Sequence, residues 1–295
     1  MIIVTGANGK LGSRTVQRLL DRIPADRIGV SVRNTDSAAG LAARGVRVRR
    51  GDFADPDSLS EAFEGATQVL VVSTYTTGPA AIAHHTAAAD AAIAAGAKRV
   101  LYTSHQGASA DSLFAPMPDH AATERYLAGT GTPFTALRNG YYASTIPLLL
   151  GQALRTGELV APADGPVSWT THDDLAEATA VILADEGRFE GRFDGRFDGA
   201  TPPLTAPDAL DLEDIAGILG DLTGRTIRRV VADDAEWTAG LVGHGVPEEH
   251  AALLLGMFHA SRRGEFAATG PTLTDLLGRD TVPIRSVLEE VVATG

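Results

Sequence analysis

Cysteine is absent from the 295 residues. Disulfides, thiolate metal ligands and a thiol nucleophile are therefore excluded. Aromatic residues make up only 5% of the chain, so the core must be filled by Ala, Val, Leu and Ile. No window reaches the ~18 uncharged apolar residues of a membrane span. The nearest, an Ala-rich stretch over 80–97, is broken by His84, His85 and Asp90. Basic residues are in deficit, 25 against 37 acidic, for a net charge of −12. An acidic surface repels phosphate backbones. The short clusters at Arg47, Arg49 and Arg50, at Arg228 and Arg229, and at Arg262 and Arg263 read as solvated charge. The expectation is neither a nucleic-acid partner nor a membrane. Gly-x-Ser-x-Gly is missing, and with it the nucleophile elbow. His84 and His85 point about 100° apart on a helix and cannot form an i, i+4 metal pair, and no other His, Asp or Glu spacing suggests a metal. Met1–Gly6 carries neither a basic leader nor a long apolar stretch, so a cytoplasmic location is expected.

The first 140 residues alternate short β-branched runs with helical patterns. Strands are expected at Ile2–Thr5, Arg27–Val32, Val46–Arg50, Gln68–Ser73, Lys98–Ser104 and Phe134–Arg138. Helices are expected at Leu11–Arg22, Ser37–Arg44, Asp57–Phe63, Ala80–Ala95 and His120–Ala128. Alternation of this kind predicts an α/β fold, a Rossmann-type doubly wound parallel sheet with helices on both faces. After Arg138, prolines loosen the pattern. Residues 1–140 then read as a nucleotide-binding domain and 141–295 as a smaller C-terminal α/β substrate lobe, with helices at Leu175–Asp185, Leu212–Leu222, Pro247–Arg263 and Ile284–Val292. A Gly-Arg-Phe-acid unit repeats three times over 187–198. Its period is too short for a solenoid, and it reads as a loop or an edge strand near 187–199 returning to the main sheet.

Thr5-Gly6-Ala7-Asn8-Gly9-Lys10-Leu11-Gly12 follows the first strand and opens the first helix. Gly6 permits the tight turn, Gly9 lets the backbone approach a pyrophosphate, and Gly12 lets helix and sheet pack closely. The helix N-terminus offers amides and a positive dipole end to the phosphates. The spacing, G-x-x-G-x-x-G, departs from G-x-G-x-x-G, but the strand–turn–helix context is the one dinucleotide binding requires. At the end of the second strand stands Arg33, where an acidic residue would accept from a bare ribose. A guanidinium there suits a 2′-phosphate, with Lys10 assisting, which favours NADP(H) over NAD(H). Asp52, before Phe53, either accepts from the adenine amino group or serves a turn. Ser73-Thr74-Tyr75 and Ser104-His105-Gln106 end the fourth and fifth strands, where open α/β sheets bind ligands.

Together with the glycine loop, Val32-Arg33-Asn34, Gly51-Asp52-Phe53, Tyr102-Thr103-Ser104, Leu137-Arg138-Asn139-Gly140, Asp173-Asp174-Leu175-Ala176 and Leu276-Leu277-Gly278-Arg279 resemble the NmrA-like branch of the atypical short-chain dehydrogenase/reductases. Within it, the chain is most similar to the NADPH-dependent quinone oxidoreductases of type 2. The resemblance spans nearly the whole chain. It implies NADP(H) contacts at Gly6, Asn8, Gly9, Lys10, Leu11, Arg33, Asp52, Phe53, Ser73 and Thr74; Gly12, Tyr75, Thr103 and Asn139 complete the expected cofactor set.

Short-chain dehydrogenases use Tyr-x-x-x-Lys. Aligning Glu124 with the Glu that often follows that Lys puts His120 at the Lys position and Pro116 at the Tyr position, so the usual proton donor is missing. A ketone would develop a basic alkoxide and need that acid, whereas a quinone yields a ring-stabilised anion. The expected activity is NADPH-dependent hydride transfer to a quinone or quinone-like polycyclic or conjugated ketone, including tailoring of aromatic polyketides. His120, Ser104, His105 and Tyr141 are the expected catalytic residues, with Tyr75 and Tyr142 as further polar candidates. The alternative is a non-catalytic NADP(H)-binding redox sensor. A monomer or homodimer is expected.

Overall fold

Ile2–Thr5 is buried at every position, as a strand covered on both faces requires. It forms β1 of a computed structural model that describes residues 1–185 and 197–294. The other strands are β2 (Ile28–Val32), β3 (Arg47–Arg50), β4 (Gln68–Val71), β5 (Arg99–His105), β6 (Phe134–Asn139), β7 (Tyr141–Tyr142), β8 (Glu158–Pro162), β9 (Trp169–Thr170), β10 (Gly199–Ala200) and β11 (Arg228–Ala232). Seven of them make one sheet in the order β10-β6-β5-β4-β1-β2-β3, and every pairing in it is parallel. Strand order reverses between β1 and β4, which creates a crevice at their carboxyl ends.

The helices beside these strands are α1 (Lys10–Leu20), α2 (Ala39–Ala43), α3 (Pro56–Phe63), α4 (Pro79–Ala94) and α5 (Pro116–Gly129). The chain continues through α6 (Ile146–Leu150), α7 (Ala153–Thr156), α8 (His172–Ala184), α9 (Leu212–Thr223), α10 (Asp234–Gly243), α11 (Glu248–Arg262), α12 (Thr272–Leu277) and α13 (Ile284–Thr294). One face of the sheet packs on α1 and α8, burying Val16, Leu19, Leu175 and Ile182 together. The other packs on α3 and α4, through Leu59, Phe63, Ala88 and Ala92. Alanines facing the sheet from α4 let that helix lie close, which a chain poor in aromatics needs. A third core gathers Trp169, Phe258 and Phe266 from the second half of the chain with Met117 of α5.

Several elements depart from the sequence expectation, β8, β11 and the short helices α6, α7 and α12 among them. The helix expected from His120 begins at Pro116. Prolines are tolerated at 116 and 118 because the first amides of a helix have no partner inside it. His120 therefore sits one turn inside α5, on the same face as Pro116 and Glu124. Ser37–Arg44 splits into a 3₁₀ turn at Asp36–Ala38 and the short α2. In the second half of the chain, α10 lacked a periodic apolar signal, since none of its residues is buried; Asp233 caps it by accepting from the amides of Ala235 and Glu236. The 187–196 part of the repeat lies outside the described residues. Beyond it, Phe197 is buried, and Gly199 and Ala200 pair with Thr135 and Ala136 at the sheet edge.

The two most C-terminal motifs meet. Arg279 Nη1 donates to Asp174 Oδ1 at 2.8 Å. The other oxygen of Asp174 accepts from the Val282 amide and from Thr171 Oγ1, each at 2.8 Å. Arg279 also reaches Glu177 at 3.1 Å, and Arg22 of α1 pairs with the same carboxylate at 2.7 Å. The segment after α12 is thereby fastened to α8 and α1.

Candidate active site

The glycine loop is shaped by close approach. Gly6 has φ +60°, and its carbonyl accepts from the Gly9 amide at 2.9 Å. A Cβ on Gly12 would stand 2.3 Å from that same carbonyl oxygen. No side chain caps α1, so the amides of its first turn and its dipole are left for an anion. Gly6, Asn8 and Lys10 are exposed on this rim, while Leu11 anchors the turn from below. Asn8 Nδ2 donates to Ser37 Oγ at 2.6 Å, tying the glycine loop to the loop after β2. Arg33, at the start of that second loop, is exposed and makes no ion pair among the described residues. A Gly12→Ala substitution is expected to weaken NADPH binding about tenfold or more, since its methyl forces the turn open at a packing cost of about 1–3 kcal/mol. Fluorescence titration of NADPH checks this, and wild-type affinity would refute it.

At the end of β3, Asp52 Oδ1 accepts from the Ala54 amide at 3.1 Å, and its own amide donates to Ser58 Oγ at 3.0 Å. The turn role is thus realised, and Oδ2 makes no hydrogen bond among the described residues. Phe53 lies half-buried beside it.

The end of β4 is pinned from three sides. The Ser73 amide donates to Thr103 Oγ1 at 2.8 Å, and Thr103 Oγ1 donates to Ser73 Oγ at 3.1 Å. The Thr74 amide donates to His85 Nε2 at 3.1 Å. The Gly78 amide donates to Asp119 Oδ2 at 2.6 Å. Tyr75 is not drawn in; its side chain is 97% exposed. Asn139 is sealed beneath the cleft, with neither amide atom hydrogen-bonded.

Three of the four expected catalytic residues meet where β5 faces α5. The rings of His105 and His120 lie 6.4 Å apart and 23° from parallel. Tyr141 meets His105 edge-on at 5.5 Å, and Phe266 approaches both rings. Phe114 closes the group at 6.0 Å from Tyr141. Ser104 is committed elsewhere. Its hydroxyl donates to Glu124 Oε1 at 2.6 Å, and Glu124 is clamped by Arg138 at 3.0 and 2.6 Å. Tyr142 faces His172 at 4.2 Å. Burial lowers His85 and His172 to about 4 and His105 to about 3, and raises the Tyr142 hydroxyl to about 12. His120 is held well below its usual range, first by burial and then by the neighbouring imidazoles.

Sequence reasoning missed His85, Tyr102, Asp119 and Phe266. Tyr102 Oη lies 2.7 Å from His120 Nδ1 and 3.2 Å from His85 Nδ1. Alternation along β5 puts Tyr102 and Ser104 on one face, a signal that would have aimed both at α5. Nothing local marks His85 as their partner.

A family profile described as NAD(P)H-binding matches residues 6–186. Quinone oxidoreductase 2 of Escherichia coli is 30% identical over 285 residues, covering 96% of each chain. The crystal structure of the E. coli NADPH-dependent quinone oxidoreductase QOR2 with NADPH superimposes with a TM-score of 0.89 at 29% identity, covering 100% of this chain and 99% of that one. Triphenylmethane reductase of Citrobacter sp., complexed with NADP(H), gives 0.88 at 32% identity, covering 98% and 99%.

Proposed function

The chain belongs to the NAD(P)H-binding, NmrA-like family, and from that premise we propose that it reduces quinones or similarly conjugated flat acceptors with NADPH. Gly6, Asn8, Gly9, Lys10, Leu11 and Gly12 would seat the pyrophosphate, and Arg33 the 2′-phosphate. Asp52 and Phe53 would border the adenine. Ser73, Thr74 and Thr103 would flank the nicotinamide side of the crevice. The donor set fits: free helix-terminal amides, a guanidinium at Arg33 with no ion pair among the described residues, and a cradle at Gly12 that a Cβ would fill. Bound there, NADPH supplies a hydride.

The observation that carries the acceptor class is Pro116. It stands one helical turn before His120, where the related dehydrogenases hold their tyrosine acid. Beside it the rings of Tyr141, Phe114 and Phe266 pack against one another, with Phe266 fully buried and Phe114 partly open. Of the three, Phe114 retains exposed ring face on which a flat substrate would stack. A missing acid favours an acceptor whose reduced form is a stabilised anion. Ring systems of aromatic polyketides fall in this class. A quinone such as menadione is expected to drive NADPH oxidation at least about 100-fold faster than cyclohexanone, the scale of one absent general acid. Comparable rates would refute the acceptor class. NADPH binding with no oxidation by any conjugated acceptor would instead leave a dinucleotide sensor.

A further inference from the structure

Resting on the reductase assignment above, we propose that the acceptor's carbonyl oxygen is held by two neutral imidazoles, His120 and His105, each locked in the tautomer that presents Nε2–H to the cleft. The lock follows from hydrogen-bond bookkeeping that begins at a backbone amide. The Thr74 N–H can only donate, so His85 Nε2 accepts, and neutral His85 carries its proton on Nδ1. That N–H faces Thr123 Oγ1 at 3.1 Å and Tyr102 Oη at 3.2 Å. Thr123 spends its own hydrogen on the Asp119 carbonyl at 2.9 Å. His85 Nδ1 being a donor, the hydroxyl hydrogen of Tyr102 goes to His120 Nδ1 at 2.7 Å. His120 therefore accepts on Nδ1 and carries its proton on Nε2. His105 is fixed by a shorter route: the Gly107 amide donates to its Nδ1 at 3.0 Å.

Neither Nε2 has a hydrogen-bond partner among the described residues. Neither is among the unpaired polar atoms sealed inside the protein. Two like rings lying nearly parallel thus bring two uncommitted donors to the carboxyl end of β5.

The chain of bonds orients and does not conduct. It ends on the Thr74 amide, which cannot surrender a proton to reload His85. Tyr102 and His85 are accordingly positioning residues, and the groups that touch the acceptor are His120 and His105. The groups facing His120 are Tyr102 and His105 from β5 and His85 from α4; on its own helix, Asp119 next to it is engaged by the Gly78 amide and Glu124 one turn on is paired to Arg138 of β6. Burial keeps both imidazoles uncharged, which suits donors to an oxygen that becomes anionic. In the step itself the hydride brings two electrons and one hydrogen to the acceptor. The hydride forms a C–H bond at the ring carbon conjugated to the held carbonyl. The C=C π pair shifts to make an enolate, and the carbonyl π pair becomes a lone pair on the oxygen facing the two intact Nε2–H bonds. Water protonates that oxygen, and a water-borne shift of one ring C–H proton to the second carbonyl oxygen completes the hydroquinone.

The test is nitrogen NMR of the full chain labelled with ¹⁵N-histidine, between about pH 5 and 8, with peaks assigned by His120→Gln and His105→Gln. Expected are Nδ1–H on His85 and Nε2–H on His120 and His105 throughout. An Nδ1–H tautomer or an imidazolium at His120 in that range overturns the proposal. Tyr102→Phe should shift His120 towards mixed tautomers and lower kcat about tenfold with NADPH Kd unchanged, where a purely structural tyrosine would leave the tautomer alone. His120→Leu should lower kcat about 100-fold, the scale of one lost oxyanion donor, and His120→Gln, which retains an amide donor at similar reach, should recover most of it. A His120→Leu/His105→Leu double variant with undiminished kcat also overturns the proposal. If wild type reduces no acceptor, the reductase assignment falls, while the spectra still decide the tautomers.

Discussion

Arg33→Ala is expected to raise the Kd for NADPH about 30-fold and to leave that for NADH unchanged. The guanidinium is exposed and unpaired among the described residues. It gives up no internal ion pair to meet a phosphate and pays little desolvation. A charge-assisted hydrogen bond of this kind contributes about 1.5–3 kcal/mol, and about 2 kcal/mol corresponds to that ratio. Because the contact is solvent-exposed, the preference should shrink as salt rises through the range where the Debye length falls below about 8 Å. Parallel titrations of both nucleotides at two ionic strengths measure it. An NADPH affinity untouched by the substitution would remove Arg33 from the 2′-phosphate site and leave Lys10 as the remaining cation on that rim.

Arg279→Ala is expected to destabilise the fold by about 3 kcal/mol, since it leaves a buried carboxylate without its cation. Asp174 is fully buried, whereas Arg279 is 40% exposed, so the two ends of the pair are unequal. Losing Asp174 frees an arginine that water can solvate. Losing Arg279 strands a charge that water cannot reach, held only by the Val282 amide and the Thr171 hydroxyl. At roughly 2–4 °C per kcal/mol for a chain of this size, the melting temperature should fall by about 10 °C. Adding Asp174→Asn to Arg279→Ala should restore part of that loss, because a neutral amide needs no counterion. Thermal unfolding of the single and double variants decides the matter. An Arg279→Ala protein that melts with wild type would show the pair to be inert.

Most of the sheet was legible because each strand carries its own signal. Ile2–Thr5 is a short apolar run ended by Gly6 and Gln68–Val71 one that follows the turn at Gly65, and burial on both faces leaves them no alternative. The glycine loop was legible for the same reason, its geometry being set within seven residues. The start of α5 was not, since Pro116 and Pro118 look like breakers until they are seen to occupy a first turn, where a missing N–H costs nothing. The ring cluster was half legible. His105, His120 and Tyr141 sit at strand ends or on a helix face that sequence can identify. His85 and Phe266 come from segments far off in the chain, and only the packing of α4 and of the turn after α11 brings them in. Ser104 shows the converse: its position was right for the site, but a glutamate 20 residues on takes its hydrogen.

The sheet borrows its far edge and one of its covers from the second half of the chain. Phe197 and Leu204 lie in the same core as β1 and β2, as do Leu273 and Leu276. During biosynthesis, therefore, the nucleotide crevice cannot be finished when its own loops have emerged from the ribosome. The face beneath α1 stays uncovered until α8 arrives, and β6 lacks its neighbour until Gly199 and Ala200 follow. A nascent chain halted near residue 140 would present a bare strand edge and an oily sheet face to chaperones rather than a working dinucleotide fold.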